Sequence, residues 1–157
     1  MEPLNKIVFS DRMGRRLDER LIKVWNDARR GSNELPLFRD FFQQYIADMW
    51  PFLFVLHLNP QGGPAVIDKI GEALTSGIDQ NLNGKTVSDI PEKTILYHAT
   101  RDYNVAPLKR GVASASGEFI NNDGNIVLYR STFLPVREEH DKVSAVVGAA
   151  SYRVQIV

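Results

Sequence analysis

Cysteine is absent from the 157 residues. Its absence excludes disulfides, thiolate metal sites, iron–sulfur clusters and cysteine nucleophiles from this chain. Net charge is missing too, because 19 Lys and Arg balance 19 Asp and Glu. A zero balance argues against a polyanion as the main partner, so no nucleic-acid partner is expected. Long apolar runs are also lacking. The longest, Met49 to Leu56, ends at His57, whereas a membrane span needs about 20 residues. The opening Met1-Glu2-Pro3 is not followed by a basic segment and an apolar core, so no signal peptide is expected and the cytoplasm is the expected compartment. Neither GxxxxGK[ST] nor GxGxxG occurs, which leaves no phosphate-cradling loop.

A hydrophobic fraction of 43% and a charged fraction of 24% describe an ordinary globular chain. Its length suits one domain. Residues 4–9 have extended character, and Ser10 or Asp11 is positioned to cap a helix. Leu17, Leu21, Val24, Trp25 and Ala28 recur at helical spacing, and Gly31 is placed to stop that helix. Arg12, Arg15, Arg16, Arg20, Arg29 and Arg30 are interspersed with Asp18, Glu19 and Asp27 on the other side, which reads as a solvated face. A second short helix carries Phe38, Phe41, Phe42, Tyr45, Ile46 and Met49 and is closed by Pro51.

Strand composition follows at 52–58 and 65–70, joined through the turn formers of 59–64. Short helices and loops are expected over 71–90. A longer helix is expected from Pro91 to just before Pro107, capped by Ser88 or Asp89. Residues 111–120, 126–136 and 143–154 read as three long strands. Asn122-Asp123-Gly124 turns the first pair, and Glu138 to Asp141 the second. The expectation is an α+β domain: a five-stranded antiparallel sheet with helices on one face. Residues 1–50 form an N-terminal helical extension of the same domain, and 51–157 its core.

This order, with several local strings, resembles a PAS domain, and more closely a branch abundant in alphaproteobacteria as small stand-alone proteins. The strings are Val24-Trp25 with Arg29-Arg30-Gly31, then Leu35-Pro36 and Arg39, then Trp50-Pro51 leading into 52–58. Gly71, Gly77, the run Gly84-Lys85-Thr86-Val87-Ser88-Asp89-Ile90, and Leu134-Pro135-Val136 complete the set. It spans roughly residues 17–150. The resemblance implies a sensory or protein-interaction module, with a pocket between sheet and helices and pairing through the N-terminal helix or the sheet. It implies a homodimer acting through a signalling protein such as a kinase or response regulator.

Under that resemblance Tyr97, His98, Arg101, Ser114, Tyr129 and Val147 are the pocket candidates, and Leu17, Leu21, Val24 and Trp25 the dimer or docking candidates. The alternative use of that apolar stripe is to cover the sheet. No cofactor is required by the sequence. A haem sensor would use His98 as its axial ligand, with Arg101 for a propionate. A flavin would bind noncovalently, because an adduct needs cysteine. The three histidines, His57, His98 and His140, are too widely spaced for a zinc or di-iron pattern. His57 reads as a satisfied strand histidine and His140 as a solvated turn residue. A small α+β enzyme is the remaining alternative. The run Gly111 to Gly117 does not match GxSxG, and Glu138-Glu139 reads as a charged loop, so no enzyme is expected.

Overall fold

Two long strands, β5 (Ile126–Arg137) and β6 (Val143–Gln155), are the centre of the sheet. The computed structural model describes residues 5–7, 11–29, 31, 33–42, 46–138 and 142–156. Before the sheet core come β1 (Asn5–Ile7), α1 (Asp11–Ala28) and α2 (Phe38–Phe42). The hairpin β2 (Leu53–His57) and β3 (Val66–Ile70) follows, then α3 (Ile95–Thr100), α4 (Val105–Lys109) and β4 (Ala113–Ile120).

The strand order is β3-β2-β6-β5-β4, all pairs antiparallel, with β1 added to the far end of β6. The first two core strands therefore sit beside the last. β4 pairs with β5 without a slip from Ala113↔Phe133 to Ile120↔Ile126. Asn121 N–H donates to the Asn125 carbonyl at 2.9 Å to close the turn, where Gly124 takes a positive φ of 80°.

Successive strand residues face opposite sides, and both sides of this sheet are covered. On one, Phe54, Leu56, Ile67, Phe133, Val146 and Ala150 meet Leu96, Ala99, Tyr103 and Ala106 of the α3–α4 segment. On the other, Val55, Leu134, Val136, Val147 and Ala149 meet Leu17, Leu21 and Trp25 of α1 and Phe41 of α2. Double coverage explains the near-continuous apolar runs of β2 and β6. The core helices lie on one face, and the N-terminal extension occupies the other. Gly148 is required by this packing: a Cβ there would run into the ring of Phe54, which crosses β6 at that point.

Some local expectations need correction. The single helix expected after Pro91 is two short ones, α3 and α4. Thr94, not Ser88 or Asp89, caps α3, its hydroxyl accepting from Tyr97 N–H at 3.3 Å. Asp89 instead closes a capping box with Thr86 on a one-turn 3-10 helix. Pro107 lies inside α4, in its first turn, where no intrahelical donor is lost. Pro51 sits within a 3-10 turn, Ala47–Phe52, rather than after a longer helix. Ser10, Arg30, Tyr45, Glu139, His140 and Asp141 lie outside the described residues.

Candidate functional site

Helix α3 runs against the inner face of β4 and β5 and brings four rings together. His98 lies flat on Phe119, with centroids 4.0 Å apart and planes 11° apart. Tyr97 meets the His98 ring edge-on at 5.1 Å, and Tyr129 is 5.8 Å away. The Tyr129 hydroxyl would be 2.9 Å from a Cβ at Gly117, so this glycine leaves the space that the phenol occupies. Phe119 is buried; Tyr97, His98 and Tyr129 are half-buried; Arg101 and the neighbouring Asp102 are exposed.

Burial pushes His98 below the usual imidazole range, and the Arg101 charge adds to this, against a hydrogen bond with the Glu92 backbone. Burial raises the Tyr129 phenol, with Asp102 adding and Arg101 opposing. The cluster is therefore uncharged at neutral pH, polar at its ring edges, and flanked by one cation and one anion. Such a lip suits a planar polar molecule or an aromatic side chain better than proton-transfer chemistry. A hollow of about 130 Å³ lies beside it, between the start of α3 and the β4–β5 turn, lined by Ile95, Phe119, Val127 and Tyr152. It is below the roughly 300 Å³ of a drug-sized site.

Tyr97, His98, Arg101 and Tyr129 are thus brought to one place. Ser114 and Val147 are not. Ser114 pairs with Thr132, and Val147 with Leu134, so both point to the α1 side of the sheet. Ser114 is exposed there and Val147 fully buried. In their stead stands a residue that the sequence reading overlooked. Ser131 on β5 faces α3 and α4 between Ala115 and Ala150, its cross-strand neighbours. It is 0% exposed, and among the described residues its hydroxyl has no hydrogen-bond partner. The signal was available, since a serine between Tyr129 and Phe133 at period two is an inward polar residue.

The docking candidates are mostly occupied within the fold. Leu17, Leu21 and Trp25 are buried against β5 and β6, and only Val24 is partly exposed. The stripe covers the sheet. Asp18 beside it accepts from the Thr132 hydroxyl at 2.8 Å, with Arg130 at 3.9 Å. Arg20 on the solvent side pairs with both oxygens of Asp48.

His57 is half-buried on β2 and 3.0 Å from Asp68, a partner supplied by the irregular step in the β2–β3 register. A hollow of about 380 Å³ opens next to it, with Leu58, Lys142 and Val143 among its walls. Ser144 also lines that hollow but pairs with Leu58, so it faces the opposite side of the sheet from His57. No Ser-His-Asp arrangement results. Among the described residues no cluster of three metal-ligating side chains occurs. No described helix is long and apolar enough to cross a membrane.

No family model matches the chain, and no curated protein matches its sequence. Similarity is found among solved structures. One is a light-oxygen-voltage domain studied with a flavin analogue (12% identity, 68% of this chain and 80% of that one, TM-score 0.46). Another is the PAS domain of a protein from Colwellia psychrerythraea (16%, 73% and 97%, TM-score 0.44). A third is a sensory box sensor histidine kinase from Vibrio cholerae (15%, 73% and 90%, TM-score 0.45). By its own strand order, with short helices against one face of a five-stranded antiparallel core, the chain has a PAS-like fold.

Proposed function

We propose that this chain is a non-enzymatic PAS-type sensory and protein-interaction module, working as a homodimer and signalling through a partner protein such as a kinase. The ligand would be a small polar molecule held between the sheet and the α3–α4 segment. The observation that carries this reading is the orphaned Ser131 hydroxyl, fully buried on the helix-facing side of the central strand. A buried polar group without a partner costs about 1–3 kcal/mol, and a ligand hydrogen bond would remove that cost. Tyr97, His98, Arg101 and Tyr129 would form the mouth of the pocket. Strand β5 would link such a pocket to the outer face. Tyr129 and Ser131 look toward α3, while Arg130 and Thr132, alternating with them, engage Asp18 of α1. A shift of β5 on binding would therefore be felt by the N-terminal helix.

The test is a native mass spectrum of the untagged protein together with an absorbance scan. A mass above that of the chain, lost in Ser131→Val, supports the ligand pocket. A colourless protein of bare chain mass overturns the ligand and leaves an adaptor whose signal is another protein.

A further inference from the structure

Among the described residues the chain itself covers two stretches of the sheet edge. Along β3, the Ile67 N–H donates to the Lys85 carbonyl and the Ile67 carbonyl accepts from the Gly84 N–H, both at 2.7 Å, and the Val87 N–H donates to the Ala65 carbonyl at 3.0 Å. Beyond the end of β2, β6 is covered by β1. Strand β4 pairs with β5 on one side, and among the described residues no strand or bridge pairs with its other side.

This edge is eight residues long, without a bulge, a proline or a lysine. Those are among the devices that ordinarily stop an edge from pairing, and the one charge that β4 carries is Glu118. The Asn121–Asn125 bond fixes which amides are free. By antiparallel alternation, Phe119, Gly117, Ala115 and Ala113 bond to β5, while Ser114, Ser116, Glu118 and Ile120 aim their N–H and C=O groups outward. All four outward residues are exposed.

The two ends of β4 are unlike. At its start lie Lys109 and the apolar Leu108, 86% exposed; at its end lie Glu118, Asp123 and Ile120, 62% exposed. An antiparallel copy of the strand reverses this order, so each end meets its complement. With Ser116 opposite the partner's Ser116, Ser114 falls opposite the partner's Glu118, and Ile120 opposite the partner's Val112. Leu108 and Lys109, in α4 just before β4, are then at the end of the strand that meets the partner's Ile120 and the partner's Asp123. No like charges face each other. We propose that β4 is the homodimer interface, pairing antiparallel with β4 of a second copy about a two-fold axis at Ser116. The proposal rests on the homodimer part of the reading above and names its surface.

Sedimentation over a concentration series, with amide hydrogen exchange under dimeric conditions, tests it. The expected result is a dimer in which the Ser114, Ser116, Glu118 and Ile120 amides are protected. Ser116→Pro should be monomeric with an unchanged circular-dichroism spectrum, because that N–H is not used by β5 and edge strands tolerate such a proline. Lys109→Glu breaks two equivalent exposed pairs and should weaken the dimer roughly 2- to 30-fold. The double variant Lys109→Glu/Asp123→Lys should restore it, and neither exposed position threatens the fold. A protein monomeric at every concentration overturns the homodimer reading itself. A dimer with fast-exchanging β4 amides, unaffected by Ser116→Pro and Lys109→Glu, overturns only the β4 interface.

Discussion

The indole Nε1 of Trp25 donates to the carbonyl of Pro135 at 2.8 Å, joining α1 to β5 across 110 positions of sequence. Pro135 lies past the last β4–β5 pair, where among the described residues no strand is paired to receive an N–H, so a residue without one is tolerated. Its carbonyl still needs a donor, and the indole supplies it. Arg29 lies over the same indole at 4.8 Å and bonds the Glu34 carbonyl, while Arg137 bonds the Leu35 carbonyl and the Glu34 carboxylate. The Trp, Arg, Leu-Pro and Leu-Pro-Val strings, scattered in sequence, therefore meet at one joint.

Trp25→Phe should keep most of the ring contact and lose the bond. The expected cost is about 1–3 kcal/mol, because the buried carbonyl is left unpaired. Trp25→Ala should cost about 3–5 kcal/mol. Urea unfolding of the three proteins checks this. A phenylalanine variant as stable as the parent would mean that the bond contributes nothing.

Gly148→Ala should destabilise by at least about 1–3 kcal/mol, because the new methyl meets a fully buried ring. Gly148→Ala/Phe54→Leu should recover part of the loss relative to Phe54→Leu alone. Simple additivity of the two thermal shifts would show that ring and glycine are not coupled.

Asp18 gives a pH test. Burial raises its carboxyl above the usual 3.8, outweighing the Thr132 bond and the Arg130 charge. A raised folded value means that its share of stability is complete below 3.8 and fades as pH rises through the folded value. Asp18→Asn keeps an acceptor for Thr132 and carries no charge. Its melting temperature at pH 7 should equal or exceed that of the parent, with any gap closing below about pH 4. Thermal melts across this range would reject the account if Asp18→Asn were the less stable protein at pH 7.

His98 behaves in the opposite sense. Its folded value lies below the usual 6.5, so its share of stability is present above 6.5 and is lost as pH falls through the lowered value. An NMR titration should find the midpoint below 6.5, and Arg101→Gln should move it upward. His98→Phe should flatten the corresponding part of the stability profile. A midpoint at or above 6.5 would contradict the packing on Phe119.

The elements of this fold were largely legible, and their faces were not. Leu17, Leu21, Trp25 and Ala28 announce a helix by spacing alone. Which side of the sheet they cover cannot be read, because β2, β5 and β6 are apolar on both. The same ambiguity misassigned Ser114 and Val147: period two says that neighbours alternate, not which of them look toward α3. Ser131 was legible by contrast, since it shares its face of β5 with the pocket candidate Tyr129. Asp68 escaped because the β2–β3 register slips between Val55 and Leu56, a local event without a sequence mark. The break between α3 and α4 was hidden by Tyr103 and Ala106, which are buried and continue an apolar pattern after the helix has stopped.

The segment at 84–87 that seals β3 has a consequence for assembly. A sheet exposed along two rims passes pairing from copy to copy and grows into a fibre. With part of one rim bonded to its own chain and β1 laid over the end of β6, β4 is the longest rim left unpaired among the described residues. Under the proposed pairing, once that rim is taken no strand of comparable length is left among the described residues to recruit a third copy, and association by strand addition would stop at two.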